Sequence, residues 1–161
     1  MCGKRSQLYN TTFIDREILM KYIYLGGPIA GLTWDEANQW RYTAQRNIST
    51  RDEFKARWPV LGWLENGEVY GTSGEYSNLT VDHDRWAVKN SDIILMNFTG
   101  AKKASIGCSV EFGWADAYRK PVVTILPKAE TQNPHTHAFI TRLSSVVVED
   151  LDAALDIIYR F

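Results

Sequence analysis

The sequence predicts an α/β domain: a doubly wound, five-stranded parallel sheet flanked by helices. Three observations predict it. Ile93-Ile94-Leu95-Met96-Asn97-Phe98 is a continuous apolar run, the pattern of a strand covered on both faces. Tyr22-Ile23-Tyr24-Leu25 stops at Gly26-Gly27-Pro28 and is followed by helix-start signals, so strand, glycine turn and helix succeed one another. Strand-like and helix-like segments then keep alternating to the C-terminus, which implies crossovers between parallel strands. The 161 residues suit one domain and bury enough surface for a core without cross-links.

The elements follow in chain order. Residues 1–20 are polar and aperiodic, and they lack the apolar segment of a signal peptide. They read as an N-terminal arm of uncertain order or an upstream start, with the domain at 21–161. After the first strand, Thr33-Trp34-Asp35-Glu36 forms a capping box. Trp34, Ala37, Trp40, Ala44 and Ile48 then line one helical face. Trp58-Pro59-Val60-Leu61 is the candidate second strand, placed at an edge or a strand start by Pro59. Glu65–Asn78 reads as a long loop, and loops of that length are functional or disordered. Tyr70 and Tyr76 tilt the reading towards a substrate lid. A short helix over Val81–Val88 leads to the strand at Ile93–Phe98. A polar loop, a helix over Ser109–Arg119, a strand over Pro121–Leu126, a weaker strand over Ser145–Val148 and a helix over Asp150–Tyr159 complete a Rossmann- or flavodoxin-like order.

Composition excludes several classes of function. A net charge of −1 argues against a nucleic acid polymer or an anionic membrane as the main partner, because both reward a basic surface. No apolar run approaches the roughly 20 residues of a bilayer span. Cys2 and Cys108 are far apart and make no CxxC or metal spacing, which favours a reduced, cytoplasmic setting. The three histidines, His83, His135 and His137, repeat no ligand spacing, and the glycine turn is not GxGxxG. Neither a metal nor a cofactor is implied.

In open α/β sheets ligands bind beyond the carboxyl ends of the strands. Two such ends carry candidate residues. Gly26–Gly31 lets a ligand approach the backbone at Gly27 and Pro28, with a helix N-terminus behind it that favours anions; the same residues equally make a tight βα turn. Ser105-Ile106-Gly107-Cys108-Ser109-Val110-Glu111 follows the strong strand. Glu111 falls in or near the first helical turn, where the macrodipole favours an ionised carboxylate. It is either a nucleophile or a surface glutamate improving its helix. Asp82, His83 and Asp84 form a third cluster. It is either a source of a carboxyl acid whose pKa is raised by its neighbour or a solvated acidic turn. Cys108 reads as a small buried residue; a Cys–His nucleophile has no local signature here. Trp34, Trp63, Tyr70 and Tyr76 are unranked candidates for stacking on an aromatic ligand.

Taken together, these motifs resemble the nucleoside 2-deoxyribosyltransferase family. The matching pieces are Tyr22–Ile29, Asp84 with Ser91–Leu95, and Gly107–Ala115 followed by Lys120-Pro121-Val122. The resemblance implies that Glu111 attacks the anomeric carbon of a 2′-deoxynucleoside, expels the base and leaves a deoxyribosyl ester. A second base then displaces the ester with net retention, the logic of two-carboxylate retaining enzymes. It implies Asp84 as the proton-handling acid and Tyr24 as the hydrogen-bond partner that holds Glu111. Free nucleobases are implied as co-substrates. It also implies a homo-oligomer whose sites are completed across subunits, with Asn133, His135 and His137 as the closing residues; the alternative is a surface loop with incidental histidines.

One position departs from the pattern. Many family transferases carry an aspartate six residues before the nucleophile, and this chain has Ser105 there. A serine resembles the related 2′-deoxynucleoside 5′-phosphate N-hydrolases, where it helps bind the 5′-phosphate and water takes the sugar. A hydroxyl beside a helix N-terminus suits a phosphate, and an aspartate repels it. The Pro28–Gly31 turn lacks an arginine for a phosphate clamp, which returns the balance to base exchange. N-glycoside hydrolysis is the alternative, and a non-catalytic nucleotide-binding module is a third reading.

Overall fold

The computed structural model describes residues 20–59, 77–128 and 132–161. Its strands are β1 (Lys21–Gly26), β2 (Phe54–Arg57), β3 (Ile93–Asn97), β4 (Val122–Ile125) and β5 (Val146–Val148). They alternate with helices α1 (Trp34–Ile48), α2 (Ser77–Lys89), α3 (Ile106–Ala117), α4 (Ala138–Leu143) and α5 (Leu151–Ile158). The sheet has the order β2-β1-β3-β4-β5, and every neighbouring pair is parallel. The chain leaves β1 towards β2 on one side and resumes at β3 on the other. That reversal opens a crevice at the carboxyl ends of β1 and β3, where Gly26 stands in register with Met96.

Side-chain alternation divides the core in two. Ile23, Leu25, Leu95 and Val123 face Ala44 and Ile48 of α1 and Ala154, Leu155 and Ile158 of α5. Tyr24, Ile94, Met96 and Val122 face Ala87 and Val88 of α2 and Cys108, Phe112 and Ala115 of α3. A period of two along β1 therefore sends Tyr24 to one layer and its neighbours to the other. The capping box forms as the sequence predicts: Glu36 N–H donates to Thr33 Oγ1 at 3.3 Å and Thr33 N–H to Glu36 Oε2 at 2.7 Å.

Several boundaries move. A strand forms at Phe54–Arg57; of the expected Trp58–Leu61, Trp58 and Pro59 are outside it and Val60 and Leu61 lie outside the described residues. Phe54 is the residue that enters the core, while Trp58 packs edge-on against Tyr42 with ring centres 4.9 Å apart. α2 begins at Ser77, four residues before the expected start. α3 begins at Ile106 because Ser105 caps it. α4 was not expected at all; with six residues and one buried side chain, Ile140, it has no period to read. The expected lid over Glu65–Asn78 with Tyr70 and Tyr76 lies outside the described residues except Ser77 and Asn78, which start α2; the stacking candidate Trp63 and the N-terminal arm up to residue 19 also lie outside them. Among the described residues no helix is long and apolar enough to cross a membrane.

Candidate active site

β1 and α3 deliver the central pair. Tyr24 projects from β1 into the layer that α3 covers, and Glu111 lies on the buried face of α3 beside Cys108, Phe112 and Ala115. The Tyr24 hydroxyl donates to Glu111 Oε1 at 2.8 Å. Glu111 is only 7% exposed, and its Oε2 has no hydrogen-bond partner among the described residues. Gly26 makes room for that oxygen. A Cβ there would stand 3.2 Å from Glu111 Oε2 and 2.3 Å from Met96 Sδ.

The earlier start of α3 corrects the electrostatic expectation for Glu111. The residue sits in the second turn, where the macrodipole has faded. Burial takes over, and with the nearby charge of Asp84 it pushes the carboxyl up to about 8. The Tyr24 hydrogen bond and the Arg41 charge act in the opposite direction. Tyr24 itself is raised well above the usual phenol range, by burial first and then by Glu111 and Asp84. It remains a neutral donor.

Asp84 comes from α2 and separates from its acidic neighbour. Asp82 faces solvent and pairs with Arg85 at 3.2 Å. The Asp84 side chain is 13% exposed, 3.2 Å from His83 Nδ1, and acts electrostatically on both Glu111 and Tyr24. One carboxyl of the expected cluster joins the site, and the other is a surface ion pair.

The α3 N-terminus is held by a chain of hydrogen bonds. Cys108 N–H donates to Ser105 Oγ at 3.3 Å, and Ser105 N–H donates to His135 Nε2 at 2.9 Å. The His135 proton therefore sits on Nδ1, which is buried without a partner among the described residues. Burial lowers the His135 pKa and keeps the ring neutral, as an accepting Nε2 requires. The ring stacks on Phe98 with centroids 4.0 Å apart. Asn133 ties the same segment down: its Nδ2 donates to Phe98 O at 2.8 Å and its Oδ1 accepts from His135 N at 3.0 Å. Asn133 and His135 were expected to close a neighbour's pocket; both are buried, with these bonds made inside their own chain. His137 is exposed and caps α4, with Nδ1 accepting from Phe139 N at 3.2 Å. Gly107 lies exposed in the first turn of α3, one turn ahead of Glu111.

Gly27 and Pro28 are buried. A Cβ on Gly27 would lie 2.7 Å from Asn97 O and 3.1 Å from Trp40 Cζ2. Close packing of β1 on β3 and α1 thus demands this glycine. Cys108 is buried, and burial pushes its thiol far up, so it supplies no thiolate. Among the described residues no three His, Cys, Asp or Glu side chains converge as metal ligands.

Two cations escaped the sequence reading. Arg41 is fully buried and donates to the carbonyls of Leu25 (3.0 Å), Gly27 (2.9 Å) and Ala37. Its signal was present: Ala37, Arg41, Ala44 and Ile48 share a helical face, so a charge stood on an apolar stripe. Lys103 lays its stem over the β1–α1 turn, with Cε 3.3 Å from the Cβ position of Gly31. Gly31 has φ +85, and Lys103 belongs to none of the ion pairs among the described residues. Its neighbour Lys102 pairs with Glu36 at 3.0 Å. No local pattern marks Lys103, because its turn is distant in sequence.

Comparison with known proteins adds to this geometry. The model of a family described as nucleoside 2-deoxyribosyltransferase matches residues 23–156. No curated protein matches the chain. Among solved structures, a 2-deoxyribosyltransferase from Bacillus psychrosaccharolyticus is 21% identical, with a TM-score of 0.56 over 84% of this chain and 89% of that one. The CMP N-glycosidase BcmB of Clostridium botulinum is 15% identical, with a TM-score of 0.53 over 86% of this chain and 99% of the other. BlsM is 20% identical, with a TM-score of 0.55 and 85% of each chain covered. At these identities the likeness to solved structures is one of fold.

Proposed function

The chain belongs to the nucleoside 2-deoxyribosyltransferase family, and from that premise we propose that it exchanges bases on 2′-deoxyribonucleosides through an ester on Glu111. The observation that carries this reading is the buried Tyr24–Glu111 pair with Asp84 within its electrostatic reach. A carboxylate held by one oxygen and bare at the other is fixed in direction and still free to attack. In the first half-reaction Glu111 Oε2 bonds to C1′ as the C1′–N bond breaks. The departing base takes its electron pair and a proton from the Asp84 carboxyl. In the second, a nitrogen of another base attacks C1′, the ester bond breaks back to the Glu111 carboxylate, and the incoming N–H proton goes to Asp84. Two inversions give retention. The Tyr24 hydroxyl supports both steps by favouring the charged form of Glu111.

A second reading has its own observation. Ser105 caps α3 as an acceptor, which leaves its hydroxyl proton to donate, and Lys103 lies over the facing turn. Both suit a 5′-phosphate. In that reading water replaces the second base and Asp84 takes its proton. Incubation of the protein with deoxyinosine and adenine, with chromatography for deoxyadenosine, tests base exchange. Release of free base only from deoxynucleoside 5′-monophosphates would replace exchange with hydrolysis. No turnover of either class would leave a nucleotide-binding module.

A further inference from the structure

Arg41 is a buried cation whose counter-charge is not supplied by any of the ion pairs among the described residues. Taking a guanidinium out of water costs several kcal/mol even after relaxation. Three carbonyls meet its N–H groups, but dipoles alone leave the net charge uncompensated. The protein retains it on the inner face of α1, against the carboxyl end of β1.

Arg41 and Glu111 both approach the glycine pair at the end of β1. Gly26 and Gly27 are adjacent at the end of β1. A Cβ on Gly26 would lie 3.2 Å from Glu111 Oε2, and one on Gly27 would lie 3.3 Å from Arg41 Nη2. Successive strand residues face opposite sides, so the carboxyl and the guanidinium approach one glycine pair from opposite faces of the sheet. Both groups are buried, and a field crosses a protein interior with weaker screening than water gives. The groups facing Glu111 are Tyr24 from β1, Asp84 from α2, Arg41 from α1 and, on its own helix, Cys108. Of these only Arg41 is cationic.

We infer that Arg41 is a positioning residue that acts through Glu111: across the Gly26–Gly27 backbone it supplies a positive charge that offsets part of the cost of an anion at Glu111, while its fork fixes the turn after β1. This rests on the reading of Glu111 as the reacting carboxylate. It adds that the ester state costs the guanidinium its counter-charge, so Arg41 favours return of Glu111 to the carboxylate in the second half-reaction.

The test requires no turnover, so an inert wild-type protein would sink the proposed activity and leave this inference measurable. With 13Cδ-labelled glutamate, and Glu111→Gln for assignment, the Glu111 carboxyl is titrated by NMR in wild type, Arg41→Gln and Arg41→Lys. Arg41→Gln keeps one amide donor and removes the charge; its midpoint should rise by roughly one pH unit. Arg41→Lys restores the charge and should titrate near wild type. An unchanged midpoint in folded Arg41→Gln, or an equal rise in both variants, overturns the inference. If Arg41→Gln does not fold, the wild type decides alone. The Arg41 15Nε resonance should step at the Glu111 midpoint and lose that step in Glu111→Gln; a flat Arg41 signal overturns the inference.

Discussion

At the scale of single residues, the site is governed by a contest over one proton. Burial and Asp84 raise Glu111 to about 8, against the Tyr24 hydrogen bond and Arg41. In the proposed mechanism Glu111 attacks as a carboxylate, so kcat/KM for base release should climb as pH rises through that value, as a pH–rate profile will register. Tyr24→Phe removes the phenolic donor and should carry the rising limb to still higher pH, with activity at pH 7 reduced about tenfold or more. Stability moves the other way. A carboxyl whose folded value exceeds its unfolded value contributes fully at low pH and loses that contribution as pH rises towards the folded value. Glu111→Gln should therefore melt at least ~3 °C above wild type at pH 9, with the gap closing by pH 5. Calorimetry across that range measures it. The sequence carried Tyr24, Asp84 and Glu111 as residue types in a recognisable order. It did not carry the ionisation of Glu111, since burial arises from α2, α3 and β1 meeting and from no neighbour in the chain.

At the scale of elements, α3 concentrates the design. Its N-terminus depends on Ser105, so Ser105→Ala should lower stability by about 1 kcal/mol, as denaturant titration will report. The same variant should discriminate less well between a deoxynucleoside and its 5′-phosphate if the hydroxyl serves a phosphate. The C-terminal end carries a correctable strain. Arg119 follows the helix with φ 53, a left-handed position that costs a side chain about 1 kcal/mol and suits glycine. Arg119→Gly should raise Tm by ~2–4 °C. Element identity was legible wherever a period ran long enough: the buried strand at Ile93–Phe98 and the capped helix from Trp34 stand where the sequence puts them. The start of α3 was misread because Ile106 and Gly107 look like loop residues until Ser105 is seen capping them. β2 was misplaced because Trp58 and Pro59 outweighed a short strand, Phe54–Arg57, in which one residue is fully committed to the core.

At the scale of the molecule, the parallel sheet carries two packed layers, one on each face. Leu155 of α5 lies in the layer opposite the Tyr24–Glu111 pair. Leu155→Ala should cost about 2–5 kcal/mol of stability while leaving kcat near wild type below the new melting point; parallel melts and assays separate the two effects. The sheet order was legible as a class from alternation alone, whereas the reversal between β1 and β3 emerges only from pairing. The coupling of distant segments was beyond any local pattern, as Asn133 and His135 show by bonding Phe98 and Ser105. That linkage constrains anyone who would refashion the mouth of the crevice. The stretch after β3 and the stretch before α4 would have to be transplanted together. Exchanging either one strands an imidazole acceptor or a peptide donor in the interior, and altered specificity would arrive with a misfolded rim.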